Sequence, residues 1–451
     1  MDKHELQVAF EQRGIRRVKL GGFDVDGLLR GKYISLDKFW SALDKGFGFC
    51  DVIFGWDSAD ALYDNAELTG WHTGYPDTLA KIDLSSFRVL PSEPNTAHFL
   101  VDFWQDPATP HPACPRNLLK TVTARARAAG YAPHFSVEFE FWLFRESPHS
   151  LREKGFRNLT PLSPGMFGYS WVREGQHADL IEDVLEQMAG YDIDIEALHT
   201  ETGPGVYEVA IHHDEPLLAA DMAALFKTTL KILCARHNCC VTFMAKWNPS
   251  LPGSSGHIHQ SLWSQGDGEN LFADARAAHG LSALGSRYLA GLLALSPDLT
   301  AIYSPTINSY KRYVPGMWAP LCASWAVENR TCSVRVIPGP GASAARVEFR
   351  QTAADINPYL AIASCLASGL YGIERALELP PASSGDATVS EALRFPQSLA
   401  AAGQLLQQSE RARQVLPEAF INHYVRTRDW EVRQHARSVS EWELDRYFEG
   451  I

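Results

Sequence analysis

Apolar and polar positions alternate through much of the first hundred residues, which predicts strands. Arg17 to Leu20 is one. Phe23–Val25 and Leu28–Ile34 flank Asp26-Gly27, a hairpin signal. A short helix is expected over Leu36–Asp44. Trp56 to Pro76 shows no period and reads as a long surface loop, and such loops often carry function. Further strands are predicted at Leu79–Asp83 and His98–Trp104.

Four prolines between Asp106 and Pro115 suggest a linker. Beyond it, strands and helices alternate. A helix over Arg116–Ala129 ends at Gly130. Strands are predicted at His134–Phe144, Val206–Ile211, Val241–Lys246, Gly256–Trp263, Cys332–Ile337 and Arg346–Arg350. Helices are predicted at Ala178–Ala189, Ala219–Arg236, Leu281–Leu295 and Pro358–Ala376, and the last fifty residues read as helical and charged. The pattern predicts an α+β chain, with a small domain over residues 1–106 and a large one over 107–451 built on an antiparallel sheet.

Composition narrows the function. Of 451 residues, 45% are hydrophobic and 21% charged, as in a globular chain. A net charge of −12 leaves no basic excess to displace counterions from nucleic acid. No apolar run reaches the ~20 residues of a spanning helix, and the N-terminus lacks a signal-peptide core. The 8 cysteines form no C-x-x-C pair, so a reducing cytoplasm is expected.

Several strands carry candidate chemistry. In Val137-Glu-Phe-Glu-Phe141, Glu138 and Glu140 share one face, while Val137, Phe139 and Phe141 share the other. Neighbouring carboxylates repel, so a divalent cation or an arginine should face them, unless the strand face is merely solvated. Arg346, Glu348 and Arg350 likewise share a face, either as a ladder of ion pairs or as a ligand flanked by phosphate-binding guanidiniums. His257 and His259 share a face after a Gly/Ser-rich loop that includes Gly253 and Gly256. Glu201 and Glu208 bracket a Gly-Pro-Gly turn. Arg330 and Arg335 sit near a second Gly/Pro turn, on opposite strand faces. Each motif alone has a bland alternative. Together they supply hard ligands for divalent ions and arginines for a polyphosphate.

Taken together, VEFEFWLF (137–144), ETGPGVYE (201–208), SSGHIHQSLW (254–263), NSYKRYVPGMWAP (308–320), ENRTCSVRVIPGPG (328–341) and ARVEFRQTAADINPYLAIASCLASGL (345–370) resemble the glutamine synthetase family over nearly the whole chain. The resemblance implies an N-terminal β-grasp domain, a large guanido-kinase-like catalytic domain, and a homo-oligomer, a dodecamer of two hexameric rings. It implies ATP as co-substrate and two or more Mg²⁺ or Mn²⁺ ions. Glu140, Glu201 and Glu208 would hold one ion, and Glu138, His257 and Glu348 another. His259, Ser261, Arg330 and Arg335 would face ATP. Arg312, with the loop of Gly253 and Gly256, would bind glutamate. Arg350 and Arg330 would act at the transferred phosphoryl group.

Departures from the family pattern bear on the acceptor. Ammonia-using members carry a flap glutamate where this chain has Trp318. Their D-G-S-S motif is altered here to Asp57-Ser-Ala-Asp60, and Asp57 is the candidate amine-side acid. Tryptophan packs against an organic amine, or holds a cation over its face, but does not pair with ammonium by charge. The γ-glutamylpolyamine and γ-glutamylamine synthetase branch shows similar departures. The expected reaction is therefore ligation of glutamate to a polyamine or monoamine through γ-glutamyl phosphate. Glutamine synthesis from ammonia is the alternative. A non-catalytic relative is disfavoured, because all six ligand positions retain carboxylate or imidazole.

Overall fold

The computed structural model describes residues 2–389 and 392–451. Strands β1 (Arg17–Phe23), β2 (Leu29–Ile34), β3 (Phe47–Cys50), β4 (Asp77–Ile82) and β5 (Thr96–Trp104) form a sheet in the order β2-β1-β5-β4-β3. β1 runs parallel to β5, while the other neighbours are antiparallel. The β1–β2 turn is wider than the expected two residues. The Asp24 carboxylate accepts the backbone N–H groups of Asp26 and Leu28, and Gly27 adopts φ +77°. Helix Leu36–Lys45 is capped by Ser35 and buries Phe39 against Phe99 and Phe10. Residues 56–76 form the expected loop, broken only by a bridge between Trp56 and Leu62.

A second sheet follows: β6 (Tyr131–Phe144), β7 (Ile195–Thr200), β8 (Val206–Ile211), β9 (Cys240–Thr242), β10 (Ile258–Ser264), β11 (Trp325–Val327), β12 (Val334–Ile337) and β13 (Arg346–Phe349). Its order is β11-β12-β13-β10-β6-β8-β7, with β9 beside β6. The β11–β12 pair alone among these is parallel. Val137, Phe139, Phe141, Val209, Ile258, Val347 and Phe349 are buried in one core with the helices Pro115–Ala128, Pro216–Arg236 and Pro358–Glu374. That leaves the alternate residues of β6, β8, β10 and β13 on the opposite face.

Buried polar ties join the two sheets. Arg116 donates at 2.8–2.9 Å to Asp221, Asp102 and Asp83. Asn357, which caps helix Pro358–Glu374, donates to the carbonyls of Asp24 and Val25 in the β1–β2 turn. Several elements differ from the sequence reading. Lys3–Gln12 is helical, β3, β7 and β11 are strands that it did not name, and the predicted strand over 241–246 stops at Thr242. It stops because Lys246 leaves the sheet, exchanging backbone bonds with the Asn308 side chain.

Candidate functional site

Strand pairing sets the site. Residue Arg335 on β12 lies opposite Glu348 on β13, which lies opposite His259 on β10. On the next strands, Glu140 lies opposite Glu208, which lies opposite His199. Glu138 and His257 join these rows, since the backbone N–H of Glu138 donates to the carbonyl of His257. Residues distant in the chain thus converge on one face.

Three overlapping groups have ligand atoms within 4.8 Å of one another: Glu138, His259 and Glu348; Glu138, Glu208 and His257; His199, Glu201 and Glu208. Glu140 lies beside these groups and accepts the Ser255 N–H at 2.8 Å. Nδ1 of His257 is 3.1 Å from Glu138 and 3.5 Å from Glu348, and its Nε2 is buried with no hydrogen-bond partner. Nε2 of His259 is 3.0 Å from Glu138. The guanidiniums of Arg335 and Arg350 both reach Glu348, Arg335 at 3.1 Å.

The electrostatics follow from this crowding. Burial and the repulsion of Glu208 push the Glu140 carboxyl up to about 7. Burial opposes the ionised form of Glu348, but His257 and Arg350 outweigh it and hold the carboxyl at about 2. Glu138 is likewise held well below the usual carboxylate range by His259 and His257, against burial. The bond to Glu208 raises His199 to about 9. Oxygen and imidazole donors at this spacing, with a buried unpartnered ring nitrogen, fit divalent metal ions.

The remaining candidates are placed as follows. Ser261 and His259 line a cavity of about 220 Å³ with Glu138 and Arg346. Arg330 is exposed, and its carbonyl accepts from Arg350. Arg312 is only 1% exposed and donates to Gln351 O, Arg350 O and Ser255 Oγ, each at 3.0 Å. Gly253 and Gly256 permit close packing. A Cβ on either would meet a backbone oxygen at 2.7 Å, of Ala245 and Ala353 respectively. Trp318 lies outside the basin in a surface turn, 64% exposed, with φ +60°. Asp57 belongs to none of the three ligand groups. It lines a separate cavity of about 460 Å³ with Asp26, Lys227 and Glu431, and its carboxylate accepts the N–H groups of Ala59 and Ala61.

One group escaped the sequence reading, and another was read only with its own strand. His199 links Glu201 and Glu208, with Nε2 3.3 Å from Glu208, and Tyr169 stacks on it at 4.4 Å. The spacing of His199 and Glu201, two apart, was the available signal. Arg346 donates from Nε to Nδ1 of His259 at 3.1 Å, which leaves the ring proton on Nε2, toward Glu138.

A sheet face that gathers hard ligands, beside guanidiniums and a cavity, is the working surface of a phosphate-handling enzyme. Residues 112–447 match the glutamine synthetase catalytic domain. The chain belongs to the glutamine synthetase family, and it is a carbon–nitrogen ligase. Similar proteins include type-1 glutamine synthetase 2 of Dictyostelium discoideum, 45% identical over 439 residues, spanning 96% of this chain and 84% of that protein. A glutamate–isopropylamine ligase of a Pseudomonas species is 40% identical over 446 residues, 98% of this chain and 96% of the ligase. A solved structure described as a GmaS/ADP complex superposes with a TM-score of 0.85 at 27% identity, covering 98% of this chain and 99% of that one.

Proposed function

We propose that this protein joins the γ-carboxylate of glutamate to an organic amine, a polyamine or monoamine, with ATP as co-substrate. A carboxylate has no useful leaving group. Its oxygen attacks the γ-phosphorus of ATP and ADP leaves, giving γ-glutamyl phosphate. The amine nitrogen attacks the acyl carbon, phosphate leaves, and the amine gives up a proton. Arg335 and Arg350 offset negative charge where the phosphoryl group transfers. Two or more Mg²⁺ or Mn²⁺ ions held by Glu138, Glu140, Glu201, Glu208, His257 and Glu348 would supply further charge compensation around the phosphates. His259, Ser261 and Arg330 face the nucleotide in this reading. Of the five N–H donors of Arg312, three are engaged internally, which leaves two for the α-carboxylate of glutamate.

The observation that carries the choice of acceptor is Trp318. It stands exposed where ammonia-using members place a glutamate, and it offers an apolar face to an organic amine. The relative that ligates isopropylamine supports this reading. The relative named a glutamine synthetase supports the alternative, ammonia. We further infer a homo-oligomer, a dodecamer of two hexameric rings. Asp57 would then serve a neighbouring copy's site, in keeping with its place in a cavity apart from the ligand groups.

Phosphate release measured with glutamate, ATP and Mg²⁺ or Mn²⁺ across ammonia, isopropylamine, ethanolamine, aniline, putrescine and spermidine tests the assignment. One or more organic amines should exceed ammonia in kcat/KM, and Trp318→Glu should shift the ratio toward ammonia. Ammonia turned over far better than every amine would establish glutamine synthesis instead.

A further inference from the structure

Away from the carboxylate basin, the first sheet and helix Pro216–Arg236 enclose a cavity of about 250 Å³. Its walls are largely apolar, from Leu20, Leu29, Leu90, Phe99, Leu100 and Leu225. Arg88 lines it and is 4% exposed. Its Nη1 donates to the carbonyl of Ser86 at 3.2 Å, its Nε has no partner, and among the described residues no carboxylate lies within ion-pair distance of it. The other charged groups of the cavity are otherwise engaged. Glu93 pairs with Lys19 at 3.2 Å and accepts from Tyr33, while Lys32 turns toward the rings of Phe47 and Phe49. His98 bonds Tyr191 at 2.9 Å, and burial lowers it to about 4, so it brings no positive charge near neutral pH. A buried guanidinium without a counter-ion is costly, and most such groups are paired.

We propose that this cavity binds a small monocarboxylate with an apolar body, its carboxylate on Arg88 and its body against the leucines and Phe99. The site lies outside the carboxylate basin and does not depend on the reaction proposed above. A planar guanidinium offers a carboxylate two parallel N–H bonds, and the apolar walls favour a hydrocarbon over free phosphate.

Calorimetric titration of the full-length protein with benzoate tests the proposal, with acetate, inorganic phosphate and benzyl alcohol as comparisons. Benzoate should bind at least tenfold more tightly than each comparison, and saturating glutamate with ADP should not displace it. Arg88→Met should weaken benzoate binding at least tenfold while leaving phosphate release in its absence unchanged. Should that variant fold poorly, Ile232→Trp offers a second test. Ile232 is partly exposed at the cavity wall, and a tryptophan there should block entry with Arg88 intact. The proposal falls if benzoate does not bind, if phosphate binds equally well, if glutamate displaces benzoate, or if both variants bind it like the parent.

Discussion

Glu348 lies between two guanidiniums and within reach of two imidazoles, on a strand whose other face is core. Removing its carboxylate should disable the site without unfolding the sheet. Glu348→Ala should lower kcat/KM at least about 100-fold, since even groups that only orient metal ligands typically contribute 10–100-fold. Circular dichroism should match the parent. Near-normal turnover would remove Glu348 from the metal set. At this scale the sequence was most readable where alternation is strict. Val137 to Phe141 put two carboxylates on one face and three apolar residues on the other, and β6 is paired that way. His199 was less readable because Ile195–Thr200 mixes polar and apolar residues on both faces, so nothing marked a strand. Arg346 was read with its own strand, whereas its partner is His259 on β10, a relation set by register.

Helix Pro216–Arg236 shows how an element can serve the site at a distance. Lys227 donates to the carbonyls of Ala354 and Ile356, just beyond Arg350, so the helix holds the main chain that follows β13. Burial, with Lys231 adding repulsion, brings Lys227 down to about 7. Between about 7 and the ordinary lysine value the unfolded chain therefore binds more protons than the folded one. Stability from this residue rises with pH across that window and is level below about 7, where both states are protonated. Lys227→Met removes the titration. In urea unfolding, any advantage of the variant over the parent should be greatest near pH 7 and shrink by about 1.4 kcal/mol per pH unit toward pH 10. A difference independent of pH would mean that Lys227 keeps one charge state throughout. Sequence periodicity found this helix, while its reach to Ala354 depends on tertiary packing that periodicity does not encode. Likewise, the helix Lys3–Gln12 has an Asp2–Glu5 capping box and a weakly amphipathic pattern, with Leu6 and Phe10 buried four residues apart.

For the whole molecule, clustered carboxylates on one sheet face mean that the protein without ions folds against its own charge. Any ion that binds only the folded chain stabilises it by mass action, by about 2.7 kcal/mol at a hundred times its dissociation constant. Thermal unfolding should shift upward with Mn²⁺, return to baseline with EDTA, and respond less in Glu208→Gln. A midpoint unmoved by Mn²⁺ would argue against an ion at these residues. The α+β plan and the apolar backs of the strands were legible in the sequence, because both follow from local period. The placing of Asp57 in a cavity apart from the ligand groups was not, because one-dimensional order carries no measure of distance in the fold.

Trp318 offers protein engineers an unusual starting point. Its backbone is left-handed, a conformation that suits glycine and strains a bulky residue, and 64% of the side chain's residue surface stays open to water. Trp318→Gly should therefore stabilise the free enzyme by on the order of 1 kcal/mol, read as a higher melting midpoint, while reducing kcat/KM for the preferred amine. If so, libraries built at this position begin with a margin of tolerance rather than a deficit, and re-targeting the enzyme to new acceptors can proceed without first hardening the scaffold.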